Sequence, residues 1–100
     1  HIMIYNLSGT VAAIFERSIV VNLGAVGIEL QIPIPAICAI QSPIQLFTYL
    51  HWSTEQGPTL YGFTQEVERK LFLLIISCSG IGPRIALAIL AQLGAEGFID

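Results

Sequence analysis

The pattern of apolar and polar residues reads as short strands as far as Phe63, and beyond it the spacing becomes helical. From Ile4 to Val11 apolar side chains alternate with small or polar ones, and Ile14 and Phe15 extend the pattern. This is what a half-buried strand requires, since successive side chains point to opposite faces. Glu16-Arg17-Ser18 reads as a turn, followed by the β-branched run Ile19-Val20-Val21. Gly24-Ala25-Val26-Gly27 marks a second reversal, and Ile28 to Ile32 alternates strictly until Pro33. Pro35 to Pro43 is a loop with room for one helical turn around Ala36 to Ala39. Gln45 to Trp52 is an aromatic-rich fourth strand, Glu55-Gln56-Gly57-Pro58 a hairpin turn, and Thr59 to Phe63 a fifth strand. Five short strands, with a glycine bend early on and a loop between the third and fourth, predict a small closed β barrel. A five-stranded OB-fold is the best match in strand number and size, although an SH3-like barrel carries similar punctuation.

After Phe63 the chain reads as α. Thr64 suits an N-cap, Val67 is expected to be buried, and Glu66 and Lys70 form an i,i+4 pair of favourable orientation. This helix runs through Leu71 to Ile76 and stops near Ser77-Cys78-Ser79. A second helix spans Arg84 to Gln92 and ends at Gly94, and Ala95 to Asp100 reads as the start of a third. The expected organisation is therefore a barrel over residues 3–63 and the start of a helical domain over 64–100. His1-Ile2 before Met3 reads as a tag remnant, which places the native start at Met3.

Between the two helices lies the stretch with the most chemistry, Ser79-Gly80-Ile81-Gly82-Pro83-Arg84. Gly80 and Gly82 lack a Cβ, so the backbone can take positive φ and approach another molecule closely. Pro83 suits the first helical position, because it has no N–H to lose and its φ is already fixed. The helix behind it presents unpaired N–H groups and the positive end of its dipole, and Arg84 adds a permanent cation. The arrangement is that of a helix-hairpin-helix phosphate grip. The plainer reading is a helix–helix turn with a surface arginine.

Composition narrows the possibilities. Apolar residues make up 54% of the chain and charged ones 11%, far below the usual quarter, so partner subunits, a parent protein or a membrane must cover part of it. A net charge of −3 excludes whole-surface attraction to nucleic acid, so any phosphate binding must be local. Leu71 to Ala91 is long and apolar enough to be weighed as a membrane span. Against that, Gly80, Gly82, Pro83 and Arg84 fall at its midpoint, where a charge costs roughly 2.5–3.5 kcal/mol. Two short packed helices account for the pattern better. Cys38 and Cys78 stand forty apart with no CxxC spacing, as buried thiols of a reducing compartment do. No Walker loop, metal-ligand spacing or nucleophile–base pairing is apparent in the sequence, so neither a cofactor nor catalysis is expected.

The order of these features resembles one family. Met3-Ile4, Gly24-Ala25-Val26-Gly27, Tyr61-Gly62-Phe63, Glu68-Arg69, Leu71-Phe72 and Gly80-Ile81-Gly82-Pro83-Arg84 followed by Ala86-Leu87-Ala88-Ile89-Leu90 are similar to the RuvA family of bacterial Holliday-junction-binding proteins. The resemblance spans Met3 to Asp100. It implies an N-terminal OB-fold and the first of two helix-hairpin-helix motifs, so the chain resembles an N-terminal fragment of such a protein. It also implies a non-catalytic DNA-binding subunit of recombination and repair, cytoplasmic and nucleoid-associated. The implied partners are four-way junction DNA, three further copies in a homotetramer, the RuvB motor and the RuvC resolvase.

The resemblance assigns DNA-backbone contact to Ser79, Gly80, Ile81, Gly82 and Arg84. It assigns an acidic pin, whose charge guides separated strands, to the turn carrying Glu55 and Gln56; Gln56 stands where a second carboxylate is expected. The plain reading of Glu55 is a solvated turn residue. Phe47, Tyr49 and Trp52 could form a base-stacking platform, although core packing and subunit contact are the commoner fate of alternating aromatics. His51 lacks a metal-ligand partner and reads as structural, and Glu16 and Glu29 as solvated. A reading from another class is an oligomerisation module with little DNA affinity of its own, motivated by the low charge and the apolar helices.

Overall fold

The computed structural model describes residues 6–55, 57–78 and 80–95. Five strands are present: β1 (Asn6–Ile14), β2 (Ser18–Asn22), β3 (Gly27–Gln31), β4 (Pro43–Ser53) and β5 (Gly57–Phe63). They close into a barrel in the order β1-β2-β3-β5-β4, with β4 returning to β1. All neighbours are antiparallel except β3 and β5, which meet in parallel at Gln31 and Tyr61. The expected OB-type barrel is present. The loop between β3 and β4 holds a single 3₁₀ turn at Pro35–Ile37.

The period-2 pattern works out on β4. Leu46 and Thr48 are fully buried inside the barrel, while Phe47 and Tyr49 face the other way. Val11, Ile19, Val21, Leu30 and Ile32 complete the interior. Two features let so short a barrel close. The β1–β2 register shifts between Val11 and Ala13, a bulge that tightens the bend. Gly9 lies so close to the Asn22 carbonyl and the Val21 side chain that a Cβ there would strike both.

Two helices follow, α1 (Glu66–Cys78) and α2 (Pro83–Ala95), each of 13 residues. The apolar stretch that invites a membrane reading is thus broken in two, and among the described residues no helix is long and apolar enough to cross a membrane. A second core joins the helices to the barrel. Phe72 lies with its ring centre 5.0 Å from Phe63 and 5.2 Å from Tyr61, over Ala86, Leu87 and Leu90 of α2. Arg69 is buried here, donating from Nη1 to the Thr48 carbonyl at 3.4 Å and from Nη2 to Glu66 at 3.2 Å.

Several local expectations need correction. Glu66 pairs with Arg69 at i,i+3 rather than with Lys70, because Arg69 is already fixed against β4. The first α1 turn accepts through the Gln65 carbonyl, which receives the Arg69 N–H at 3.4 Å, so the capping position falls one residue after Thr64. Thr64 instead donates its hydroxyl to Glu68 at 3.2 Å. Val67 is 58% exposed, not buried, since the core-facing side of α1 runs through Arg69 and Phe72. Helix α2 continues through Gly94 instead of stopping there.

Candidate nucleic-acid interface

The turn between α1 and α2 is built as its glycines demand. Gly80 takes φ +71°, which any side chain would strain, and Gly82 offers its carbonyl to the Ala86 N–H at 3.1 Å as the first bond of α2. Among the described residues, nothing lies within 4 Å of a Cβ built on either glycine. Pro83 follows at the first helical position. The first-turn amides of Arg84 and Ile85 precede the point where intrahelical acceptors begin. Arg84 is exposed, as are Gly80 and Gly82, while Ile81 is half-buried. Ser79 lies outside the described residues.

This turn borders a groove of about 790 Å³ between the barrel and α2. Gly82, Pro83, Arg84 and Ile85 lie along its helical wall, and Ile32, His51, Ser53, Glu55, Thr59 and Tyr61 along its barrel wall, with Arg17 at the barrel's rim. The structure therefore brings together Glu55, Gly82 and Arg84, residues that sequence reasoning assigned to separate devices.

The hairpin that carries Glu55 is tight. Ser53 pairs with Gly57, which takes φ +77°, the left-handed position that closes three-residue hairpin loops. The Ser53 hydroxyl accepts the Glu55 N–H at 3.2 Å, which fixes the backbone below an exposed carboxylate. Gln56 lies outside the described residues.

Strand alternation sorts the aromatics. Tyr49 turns toward α1, with its ring centre 5.8 Å from Phe72, and its hydroxyl lies 3.3 Å from His51 Nδ1. Trp52 stands on the opposite face of the hairpin, paired with Pro58 and 69% exposed. Phe47, Tyr49 and Trp52 thus form no common platform. Tyr61 is buried beneath the groove: burial raises its phenol pKa, the Arg84 guanidinium pulls it back, and Tyr49 adds a smaller upward push. Burial likewise raises the free Cys38 thiol. Glu29 is engaged by the Ser18 hydroxyl at 2.6 Å.

Two groove residues had no DNA-contact role in the sequence reading: Arg17, placed only in a turn, and His51, read as structural. Arg17 lies in the turn read from Glu16-Arg17-Ser18 and lines the groove, and its carbonyl accepts the Ile32 N–H at 3.2 Å, which ties that turn to the residue after β3. His51 carried no signal beyond its strand position. Among the described residues, no group of three or more His, Cys, Asp or Glu is placed to hold a metal ion.

Comparison with known proteins gives this arrangement a context. Residues 3–62 match the family model described as the RuvA N terminal domain. A protein of Alkalilimnicola ehrlichii named "Holliday junction branch migration complex subunit RuvA" is 39% identical over 97 residues, covering 95% of this chain and 47% of that protein. Proteins of the same name are 38% identical in Colwellia psychrerythraea (98% of this chain, 47% of that protein) and in Oceanobacillus iheyensis (97% and 49%). The chain spans about half the length of the curated relatives it matches. The family model covers the barrel, and the similarity to these relatives extends over the sequence beyond it: this chain belongs to the RuvA N-terminal domain family.

Proposed function

We propose that this chain is the N-terminal part of a Holliday-junction-binding subunit of a bacterial branch-migration complex. It grips DNA through the sugar–phosphate backbone, without reading sequence and without catalysing a reaction. The observation that supports it most is the groove, in which Glu55 of the β4–β5 hairpin and Gly82 and Arg84 of the helix-hairpin-helix turn face one space. Each element contributes a different part of the physics. Amides at the start of α2 and the Arg84 guanidinium attract phosphate oxygens and cannot distinguish bases. Glu55 repels them, which keeps the backbone of a strand off the hairpin and leaves it the helical wall to follow. Ser79, Gly80 and Ile81 belong to the same grip, and Gln56 stands in the pin sequence where a second carboxylate would add charge.

A single grip of this kind releases few counterions and binds weakly. The working unit is therefore a homotetramer holding four arms at once, and ATP-driven movement belongs to the RuvB motor, with RuvC cleaving the junction. A mobility-shift comparison of a four-way junction with linear duplex, using the full-length protein, tests this. Preference for the junction is expected, and equal affinity for both overturns it.

One observation favours the oligomerisation reading as a companion. Val67 and Leu74, on the outer side of α1, are 58% and 56% exposed, more apolar surface than a helix facing only water needs. Light scattering combined with a junction titration separates the two: a stable oligomer that ignores DNA leaves only the oligomerisation role.

A further inference from the structure

We propose that Arg17, in the turn between β1 and β2, is a second phosphate ligand of the groove, so that one DNA strand is held between the barrel and α2 rather than on the helix turn alone. The inference rests on the DNA-binding reading above and extends it to a residue that no motif marks.

The chain has only four lysines and arginines. Arg69 is buried against Thr48 and Glu66, and Lys70 is not part of the groove lining. The other two, Arg17 and Arg84, both line the groove, one from each of the elements that wall it. Among the described residues, no ion pair engages either guanidinium. Across the β2–β3 ladder, one carboxylate oxygen of Glu29 accepts from the Ser18 hydroxyl at 2.6 Å.

The backbone under Arg17 is held on both sides. The Phe15 N–H donates to the Ser18 carbonyl at 2.8 Å across the turn, and the Arg17 carbonyl accepts from Ile32 at 3.2 Å. A guanidinium on so fixed a base loses little backbone freedom when it engages a phosphate, and its planar fork can do so through two parallel hydrogen bonds. The groove lining holds the two arginines and one acidic residue, Glu55, among neutral residues such as Ile32, Pro33, Thr59, Tyr61 and Leu87. Two cations carried on separate walls of one groove suit a ligand with charges at intervals, which describes a single strand's backbone.

The test is a salt titration of junction binding by fluorescence anisotropy, in the full-length protein, for the wild type and R17Q, R17K, R84Q and K70Q. Each phosphate contact contributes a slope of about −0.9 in log K against log salt, roughly an eightfold loss of affinity per tenfold rise in salt. R17Q is expected to lower the slope by about that amount per subunit, as R84Q does, with R17K restoring it and K70Q leaving it unchanged. A loss in R84Q with R17Q unaltered overturns the role of Arg17 and leaves the DNA-binding reading standing. An equal loss in K70Q also overturns it, since diffuse charge then suffices. A wild-type protein with no salt-dependent junction affinity overturns the DNA-binding reading itself. Arg17 is exposed and its contribution to the turn is through backbone, so thermal melting of R17Q is expected to match the wild type.

Discussion

Gly80 and Gly82 look equivalent in the sequence, yet the fold requires only one of them. Gly80 needs the freedom of glycine, because its φ of +71° lies in the left-handed region. Gly82 is not among the positive-φ glycines, and among the described residues nothing lies within 4 Å of a Cβ placed on it. Gly82→Ala therefore adds no clash within the chain. It exchanges a tolerable N-cap for a poor one, at about 0.5–1 kcal/mol. Reduced freedom of the unfolded chain returns about 0.4–1 kcal/mol. The two nearly cancel, and a net change below about 1 kcal/mol moves the melting midpoint by less than roughly 4–8 °C in a domain of this size.

Binding is expected to respond differently. A phosphate reaching the amides of Arg84 and Ile85 must come within hydrogen-bond distance of the backbone beside Gly82, where a methyl group would hold it away. Loss of one hydrogen bond to a charged group costs about 1.5–3 kcal/mol. That corresponds to a rise in Kd of roughly 10- to 150-fold per site. Circular-dichroism melting and anisotropy with a labelled four-way junction, at one fixed ionic strength, measure both quantities on the same protein. A G82A protein that melts and binds like the wild type refutes close approach of DNA at Gly82. One that fails to fold refutes the claim that the space around it is open.

Three further outcomes are expected. Gly9→Ala should destabilise the barrel by more than about 2 kcal/mol in urea denaturation, because its Cβ would collide with the Asn22 backbone carbonyl, which cannot move without opening the β1–β2 ladder. Glu55→Gln removes the repelling charge from the groove, a change worth up to about 1 kcal/mol in contact with phosphate and less as salt rises. It should tighten linear duplex more than junction, and the chain's single tryptophan, Trp52 on the same hairpin, reports DNA arrival by its fluorescence. Tyr61 should ionise above the ordinary phenol range, since burial raises its pKa; the stability held by its neutral form is complete below about pH 10 and is lost as pH climbs from there through the raised value. Ultraviolet titration of the phenolates checks this, and Arg84→Gln should push Tyr61 still higher because Arg84 pulls it down.

The barrel was legible because each strand has one face against a shared interior. Gln45 to Trp52 was legible as a strand, and in the barrel its alternation turns Leu46 and Thr48 inward and Phe47 and Tyr49 outward. The helices were legible as elements but not as faces. With 54% of the chain apolar, nearly every position from Leu71 to Ile76 could be core, so helical periodicity could not single out Phe72 or expose Val67 and Leu74. Likewise Glu66 had two basic residues within reach, and a carbonyl on β4, remote in sequence, decided between them. The groove was the least legible feature. Its walls come from the β1–β2 turn, the ends of β3, β4 and β5, and the start of α2, and only closure through the parallel β3–β5 contact unites them.

Charge scarcity bears on how such a groove could hold a polyanion. At −3 overall, the chain repels DNA weakly beyond the Debye length of about 8 Å and attracts it only within that distance of a few cations. One consequence is kinetic: long-range steering contributes little, so association should respond to salt less than affinity does. Another is structural. On the proposed function, two arginines and a few amides per chain would give a shallow salt slope and low affinity, whereas four copies on one junction would raise the effective concentration of each successive contact. Tight binding from so few charges would then depend on geometry that duplex DNA cannot satisfy. Junction preference would arise from the spacing between grooves, with little contribution from any single contact. Adding cations to the groove should therefore strengthen binding to duplex and junction alike, eroding the preference even as affinity rises.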